Sequence, residues 1–415
     1  MFQRPRGTRD FTPDEMEARN WVLDVMRKVA ISHGFREIQM PTFEELELFT
    51  KKSGPAIVDE LYAFKDKGDR DIALRPEMTA QTMRFYVSDL ATLPKPLKLF
   101  YFGPCFRYEN PQQGRYREFF QFGAEIIGSN TPETDAEAIA LAVSQIRSVG
   151  LKNFKVRIGF IGIYRDLLRK LGFKDDEITD ALHMLDKKDI DGFKRLAAKK
   201  KASDRAGEAI ISIRDRQGGI EVLDGIEGPA KDYLKEMMGY LLALGISGCE
   251  IDLGIIRGLD YYSGMVFEID APNLGAEKQI CGGGSYDLVP LFGGEQAFTT
   301  GFAIGFDRVL LALELEGFRQ TTAPLDAFVI PVGDDARKVA LEIVSSLRRE
   351  EMSADFDIMR RSLSKSLKYA SLVKAKKAII IGDKELAKGA AIVRDMGTGE
   401  QSEVKIDQIA GSLKK

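Results

Sequence analysis

A chain of 415 residues, 44% hydrophobic and 30% charged, has the make-up of an ordinary globular protein and is too long for one ordinary core, so two or three domains are expected. Its formal net charge of -3 argues against a protein that coats nucleic acid nonspecifically. Two histidines, His33 and His183, and three scattered cysteines, Cys105, Cys249 and Cys281, leave almost no material for a His-based triad, a zinc site or a redox pair. Chemistry must rest on Arg, Glu, Tyr, Gln and the backbone.

The opening MFQRPRGTRDFTPDEME is polar from Gln3 onward and lacks the apolar stretch of a signal peptide, and no later segment approaches a membrane span, so a cytosolic placement is expected. Residues 14–33 carry helical periodicity through Met16, Trp21, Val22, Val25, Met26 and Val29, with Gly34 as the stop. FREIQMPTFEELELF reads as a strand interrupted at Pro41, which suits a sheet edge that could meet another subunit. Strands are expected at 61–64, 71–74, 97–108 and 118–128, then a helix at 133–148. The sheet should be largely antiparallel. Between about 165 and 236 the texture turns to charged helical segments with little β signal, which suggests an inserted helical domain. Strand patterns resume at 249–257, 262–270 and 278–286, and FTTGFAIGFDRVLLALELEG reads as a strand running into an amphipathic helix. From about 326, strand and helix patterns alternate and predict a separate small α/β domain.

One hairpin concentrates unusual chemistry. In LFYFGPCFRYE and EFFQFGAEIIG, period-two alternation puts Arg107 and Glu109 on one face of the first strand, and Phe119, Gln121 and Glu125 on one face of the second. Phe106, Tyr108, Phe120, Phe122, Ala124 and Ile126 fall on the opposite, core face, and NPQQGR supplies the turn. An arginine fork matches phosphate oxygens and never loses its charge, so Arg107 and Arg115 beside Phe119 suggest a nucleotide triphosphate with its base on the ring. An Arg and a Glu paired across a sheet is also a common structural device.

Three further stretches fit a ligand site, although each taken alone reads first as a turn, a core aromatic or a helix-end salt bridge. LRPEMTAQTMRF sets Glu77 and Thr79 after Pro76, an acid and a hydroxyl suited to an ammonium group. RGLDYYSGMVFEI gives Arg257 and the adjacent Tyr261 and Tyr262, only one of which can face a pocket if extended. GFAIGFDR puts Arg308 at a helix start, where backbone N–H groups add to its attraction for an anion. No GxxxxGK[ST] or GxGxxG segment is present, so neither a P-loop nor a Rossmann site explains a nucleotide pocket. CGGGSYD, 281–287, continues a strand whose glycines admit a ligand or a neighbouring backbone. Residues 360–377 carry seven cations and no acid, which as a bare pattern is a solvated helix face.

Taken in order, LRPEMTA, FRYENPQQGRYREFFQFGAE, RGLDYYSG and GFAIGFDR closely resemble the histidyl-tRNA synthetases, a class II aminoacyl-tRNA synthetase family, over nearly the whole chain and in an archaeal-like subtype. RGLDYY is a signature of the histidine enzymes, whereas FRxE and GFxxGFDR are shared across class II. The resemblance implies an α+β fold: an antiparallel catalytic sheet flanked by helices (1–164 and 237–322), a helical insertion (165–236) and an α/β anticodon-binding domain (326–415). It also implies a cytoplasmic homodimer, with the segment around Pro41 at the dimer interface. The substrates implied are ATP with Mg2+, L-histidine and tRNA(His).

Carried over residue by residue, Arg107 binds the ATP α-phosphate, Arg115 and Arg308 the distal phosphates, Glu109 the adenine amino group and Phe119 the ring face. Glu77, Thr79 and Gln121 hold the α-ammonium of histidine. Glu125 and Tyr262 contact the imidazole nitrogens, with Tyr261 and Tyr286 nearby, and Arg257 orients the carboxylate and acts with Arg107 in catalysis. Gln112 and the basic Arg360, Arg361, Lys365 and Lys368 become candidate tRNA contacts, as does the cluster Lys194, Arg195, Lys199, Lys200, Lys201 and Arg205. The chain departs from the family pattern at Asn110, where bacterial members often carry an arginine that helps read the extra 5' guanosine of the tRNA, and in GGGSYDLV around Tyr286. A catalytically inactive regulatory paralogue and another class II synthetase are the competing readings; segment 326–415 with Arg257 disfavours the first, and RGLDYY with Glu125 the second.

Overall fold

The computed structural model describes residues 2–111, 114–200, 204–256, 262–319 and 324–414. The chain falls into two compact units, Met1–Gln320 and Thr321–Lys415. Strands of the first unit are β1 (Arg36–Glu37), β2 (Phe43–Glu45), β3 (Ala63–Lys65), β4 (Asp71–Leu74), β5 (Leu97–Phe106), β6 (Glu118–Ile127), β7 (Lys155–Phe160), β8 (Gln217–Gly218), β9 (Cys249–Asp252), β10 (Tyr262–Asp270), β11 (Gln279–Tyr286) and β12 (Thr299–Gly305). Nine of them form one sheet in the order β1-β5-β6-β12-β11-β10-β7-β9-β8, antiparallel except for the parallel pairs β1/β5 and β7/β9. A small second sheet, β2-β4-β3, stands apart from it.

Local sequence explains the helices that cover the large sheet. In α1 (Pro13–Ser32) the Thr12 side chain and Glu15 form a reciprocal capping box and proline occupies the first turn. Its periodic Val22, Met26 and Ala30 are buried against α4 (Pro132–Ser148), which is capped by the Thr131 side chain and is rich in buried alanine. Between them in the chain lie α2 (Leu46–Ser53) and α3 (Thr79–Phe85). Helices α5 (Ile161–Lys170), α6 (Asp175–Asp186), α7 (Ile190–Lys199), α8 (Asp204–Arg214) and α9 (Pro229–Ala243) occupy the charged middle of the sequence. Finally α10 (Phe306–Leu315) follows β12 directly.

The second unit pairs β13 (Ala327–Pro331), β14 (Ala354–Phe356), β15 (Lys377–Ile381), β16 (Ala390–Asp395) and β17 (Gln401–Lys405) in the order β14-β13-β15-β16-β17. Its helices are α11 (Ala336–Arg349), α12 (Leu363–Leu372), α13 (Asp383–Ala387) and α14 (Ile409–Leu413).

Several expected boundaries are corrected. ELELF does not extend a strand: after β2 the chain turns into α2, because Leu46 and Phe49 pack at helical spacing against the core around Ala73. The first hairpin strand ends at Phe106, so Tyr108 escapes the alternation and is 53% exposed rather than core. The strand expected at 249–257 stops at Asp252, where the Asp252 carboxylate turns the chain by accepting from Gly254 N at 2.9 Å. The edge strand β17 and the short α13 were not expected; Gln401, Ser402 and Glu403 are all exposed, so the strand has no apolar face to read.

Candidate active site

The arginine hairpin and the strands beside it enclose a cavity of about 350 Å³. Arg107, Glu109, Arg115, Phe119, Gln121, Tyr262, Gly282 and Arg308 all line it. Just past the end of β5, Arg107 donates from Nε to Pro76 O at 3.1 Å and stacks 5.2 Å from the centroid of Phe119. Arg115 pairs with Glu109 at 2.9 Å. Arg308, in the first turn of α10, donates to Gly114 O at 3.1 Å and Gln279 O at 2.8 Å and pairs with Glu277 at 2.7 Å. A planar fork that meets three acceptors in three directions is held rigidly, which suits a receptor for anionic oxygens.

Asp307 also lines this chamber, but its charge is answered from the N-terminal segment. Arg9 and Arg19 reach its Oδ1 at 2.7 and 2.6 Å, and Phe120 N donates to its Oδ2 at 2.7 Å.

A second cavity of about 330 Å³ shares Arg107, Gln121, Tyr262 and Gly282 with the first. At its floor Glu125, only 1% exposed, accepts from Tyr101 Oη at 2.9 Å through Oε1 and from Tyr286 Oη at 2.5 Å through Oε2. Burial pushes the Glu125 carboxyl up to about 7, while the two phenol donors restrain the rise. Each carboxylate oxygen keeps a further lone-pair direction for another donor. The strand opposite must carry glycine here, because a Cβ on Gly301 would lie 1.5 Å from Glu125 Oε2. Gly123 likewise leaves room for the Tyr101 ring, whose atoms would stand 2.3 Å from an added Cβ.

At the rim, Glu77 folds its carboxylate over the start of α3, accepting from Thr79 N at 2.6 Å and Ala80 N at 3.1 Å. Burial would raise its pKa, yet Lys52 at 3.2 Å and the two backbone donors hold it below the usual value. Tyr262 and Tyr286 meet edge to face with centroids 6.1 Å apart.

The structure therefore gathers Arg107, Glu109, Arg115, Phe119 and Arg308 around one chamber and Glu77, Thr79, Gln121, Glu125, Tyr262 and Tyr286 around the other. Arg257, Tyr261 and Gln112 lie outside the described residues. Tyr101, Lys52 and Glu277 belong to the same constellation and were missed from sequence. Tyr101 was within reach of period-two reading, since it shares the face of β5 that leads to Arg107, whereas Lys52 sits on a helix whose sequence gives no hint of a buried cation.

In the second unit, Arg361, Lys365 and Lys368 line an open groove with Met359, Tyr369 and Leu372. Arg361 is anchored by Asp357 at 2.6 Å and stacks 4.1 Å over Tyr369, and Arg360 beside it has φ +54°. Part of the basic run is committed to the fold, as Lys376 and Lys377 each pair with an acid at 2.7 Å. In the helical segment Lys200 pairs with Glu177 at 2.6 Å; Lys201 lies outside the described residues. His33 meets Glu137 at 3.3 Å beside Lys98, a structural contact. Among the described residues no group of three or more His, Cys, Asp or Glu side chains could hold a metal ion, and Glu268 in the first chamber is tied to Arg157 at 2.6 Å.

A family model described as histidyl-tRNA synthetase matches residues 7–309, and one described as anticodon binding domain matches 326–415. The chain is 43% identical over 418 residues to the histidine–tRNA ligase of Archaeoglobus fulgidus and 43% identical over 418 residues to that of Methanocaldococcus jannaschii, each alignment covering 99% of both chains. Its structure resembles that of apo histidyl-tRNA synthetase from S. aureus with TM-score 0.76 and 30% identity, covering 100% of both. With a match across most of its length and relatives aligned end to end, the chain belongs to the histidyl-tRNA synthetase family.

Proposed function

We propose that the chain activates L-histidine with ATP, giving histidyl-adenylate and pyrophosphate, and then transfers histidine to the 3' end of tRNA(His). The observation that carries this reading is the pair of joined chambers, one ringed by fixed guanidinium groups around an aromatic ring and the other ending in a buried carboxyl held by two phenols.

In the proposed mechanism Arg107 stands at the junction and holds the α-phosphate, Arg115 and Arg308 take the distal phosphates, Glu109 receives the adenine amino group and Phe119 stacks on the ring. Glu77, Thr79 and Gln121 accept the α-ammonium. Glu125 and Tyr262 address the two imidazole nitrogens, with Tyr286 fixing Glu125, and Arg257 orients the substrate carboxylate. A carboxylate oxygen then attacks the α-phosphorus; the new P–O bond forms as the bond to the β-phosphate bridge breaks, and pyrophosphate leaves. No proton moves, so positioning and charge stabilisation suffice and no catalytic histidine is needed. Two ring nitrogens met by two polar partners let the pocket reject isosteres without editing. Magnesium enters as part of the ATP substrate.

The remaining parts of the reading are a cytoplasmic homodimer and tRNA contacts at Arg360, Arg361, Lys365 and Lys368. Support for the dimer is that β1, close to Pro41, forms one edge of the nine-stranded sheet and Phe43 nearby is 54% exposed. No helix among the described residues is long and apolar enough to cross a membrane. ATP–pyrophosphate exchange with each amino acid in turn tests the function: exchange dependent on histidine alone is expected, and exchange with another amino acid, or none, rejects it.

A further inference from the structure

Lys52 is enclosed in the wall of the second chamber, its side chain 6% exposed and its ammonium 3.2 Å from Glu77 Oε2. A lysine is almost never buried without a counter-charge. Its neighbour Lys51 takes the ordinary course, pairing with Glu47 at the surface at 2.8 Å. The direction of the Glu77 carboxylate does not depend on Lys52, because Thr79 N and Ala80 N grip its two oxygens. What Lys52 adds is charge.

The surroundings need it. Glu77 is largely buried, its side chain 17% exposed, and desolvation by itself favours its protonated form in the chamber it shares with Glu125 and Glu60. Of the other groups on the neighbouring elements, Tyr101 and Cys105 on β5 and Tyr286 on β11 are neutral at physiological pH, burial pushing all three well up. Arg107 lines the same chamber but is engaged with Pro76 O and Phe119, and Tyr262 contributes a further phenol.

We propose that Lys52 is a positioning residue for amino acid binding: its fixed cation keeps Glu77 a carboxylate, so that the anchored oxygens can receive the substrate's α-ammonium. This rests on the role given to Glu77 above. A protonated Glu77 would present a hydroxyl and lose the charge-assisted contact on which an ammonium depends.

The test is ATP–pyrophosphate exchange by the full chain, comparing K52M and K52R with the unaltered protein over about pH 6 to 8.5. In K52M the KM for histidine rises about 10- to 100-fold while the KM for ATP is unchanged, which also establishes that the variant is folded. The K52M defect deepens as pH falls, because Glu77 without its partner protonates at higher pH; K52R restores most of the affinity. An unchanged or lower KM for histidine in K52M would overturn the proposal, the lower value meaning that Lys52 competes with substrate. A pH profile parallel to that of the unaltered protein would overturn it too. Absence of histidine-dependent exchange in the unaltered protein would instead reject the function proposed above.

Discussion

Tyr286 donates its phenolic hydrogen to Glu125 Oε2 at 2.5 Å, from a strand two places away in the sheet, while Tyr101 serves the other oxygen. The carboxyl is thereby satisfied and still costly, since burial holds its pKa at about 7 against an ordinary 4.5. Between those values the folded protein binds a proton that the unfolded chain has released, so stability falls as pH rises from about 4.5 to 7 and stays reduced above. The size is on the order of 3 kcal/mol. E125Q, a neutral near-isostere, should flatten this slope in urea unfolding measured from acid to neutral pH and weaken histidine-dependent exchange. A slope unchanged in E125Q would mean that Glu125 does not carry the proton.

Arg308 makes three contacts that a point charge cannot reproduce together, to Gly114 O, Gln279 O and Glu277. R308K should therefore lose about 100-fold in exchange rate with ATP, and the circular dichroism spectrum should be unaltered. Near-normal exchange in R308K would show that charge alone is sufficient at this position.

The groove along α12 presents Arg361, Lys365 and Lys368 beside exposed Met359 and Leu372. Replacing Lys365 and Lys368 by Gln should raise the KM for tRNA in aminoacylation, lower the salt dependence by about one unit of slope per lost phosphate contact, and leave exchange intact. Equal losses in both assays would reject this division of labour.

Gly301 faces Glu125 with no space for a side chain, and an added Cβ would also approach Ala124 O to 2.8 Å. G301A should lower stability by about 3 kcal/mol, readable as a drop in Tm, and raise the KM for histidine more than that for ATP. Equal effects on both would place the damage in the fold rather than in the second chamber.

Period and chemistry made much of this arrangement legible. Phe119, Gln121 and Glu125 alternate along β6, and the apolar Phe122, Ala124 and Ile126 between them are buried as alternation requires. Failures came where an element ended. Leu46, Glu47 and Leu48 continue an apolar–polar alternation that passes for a strand, and the packing of Leu46 and Phe49 selects a helix. Tyr108 was assigned a face by a strand that had already stopped at Phe106. Glu277 lies between β10 and β11, where no period reaches, and Arg115 and Arg308, which pair with it, come from distant segments. Such pairings are properties of the assembled chain.

The ion pairs on Asp307 make Arg9, ahead of α1, and Arg19, within it, part of the electrostatics of a cavity distant in sequence. Arg9 and Arg19 mask an acid that would otherwise repel any polyphosphate approaching the Arg308 side of the chamber. A substitution at Arg9 would thus act like one beside the ligand, although nearly a hundred positions separate it from the hairpin, and the earliest stretch of the polypeptide would have to be in place before the nucleotide found a welcoming field.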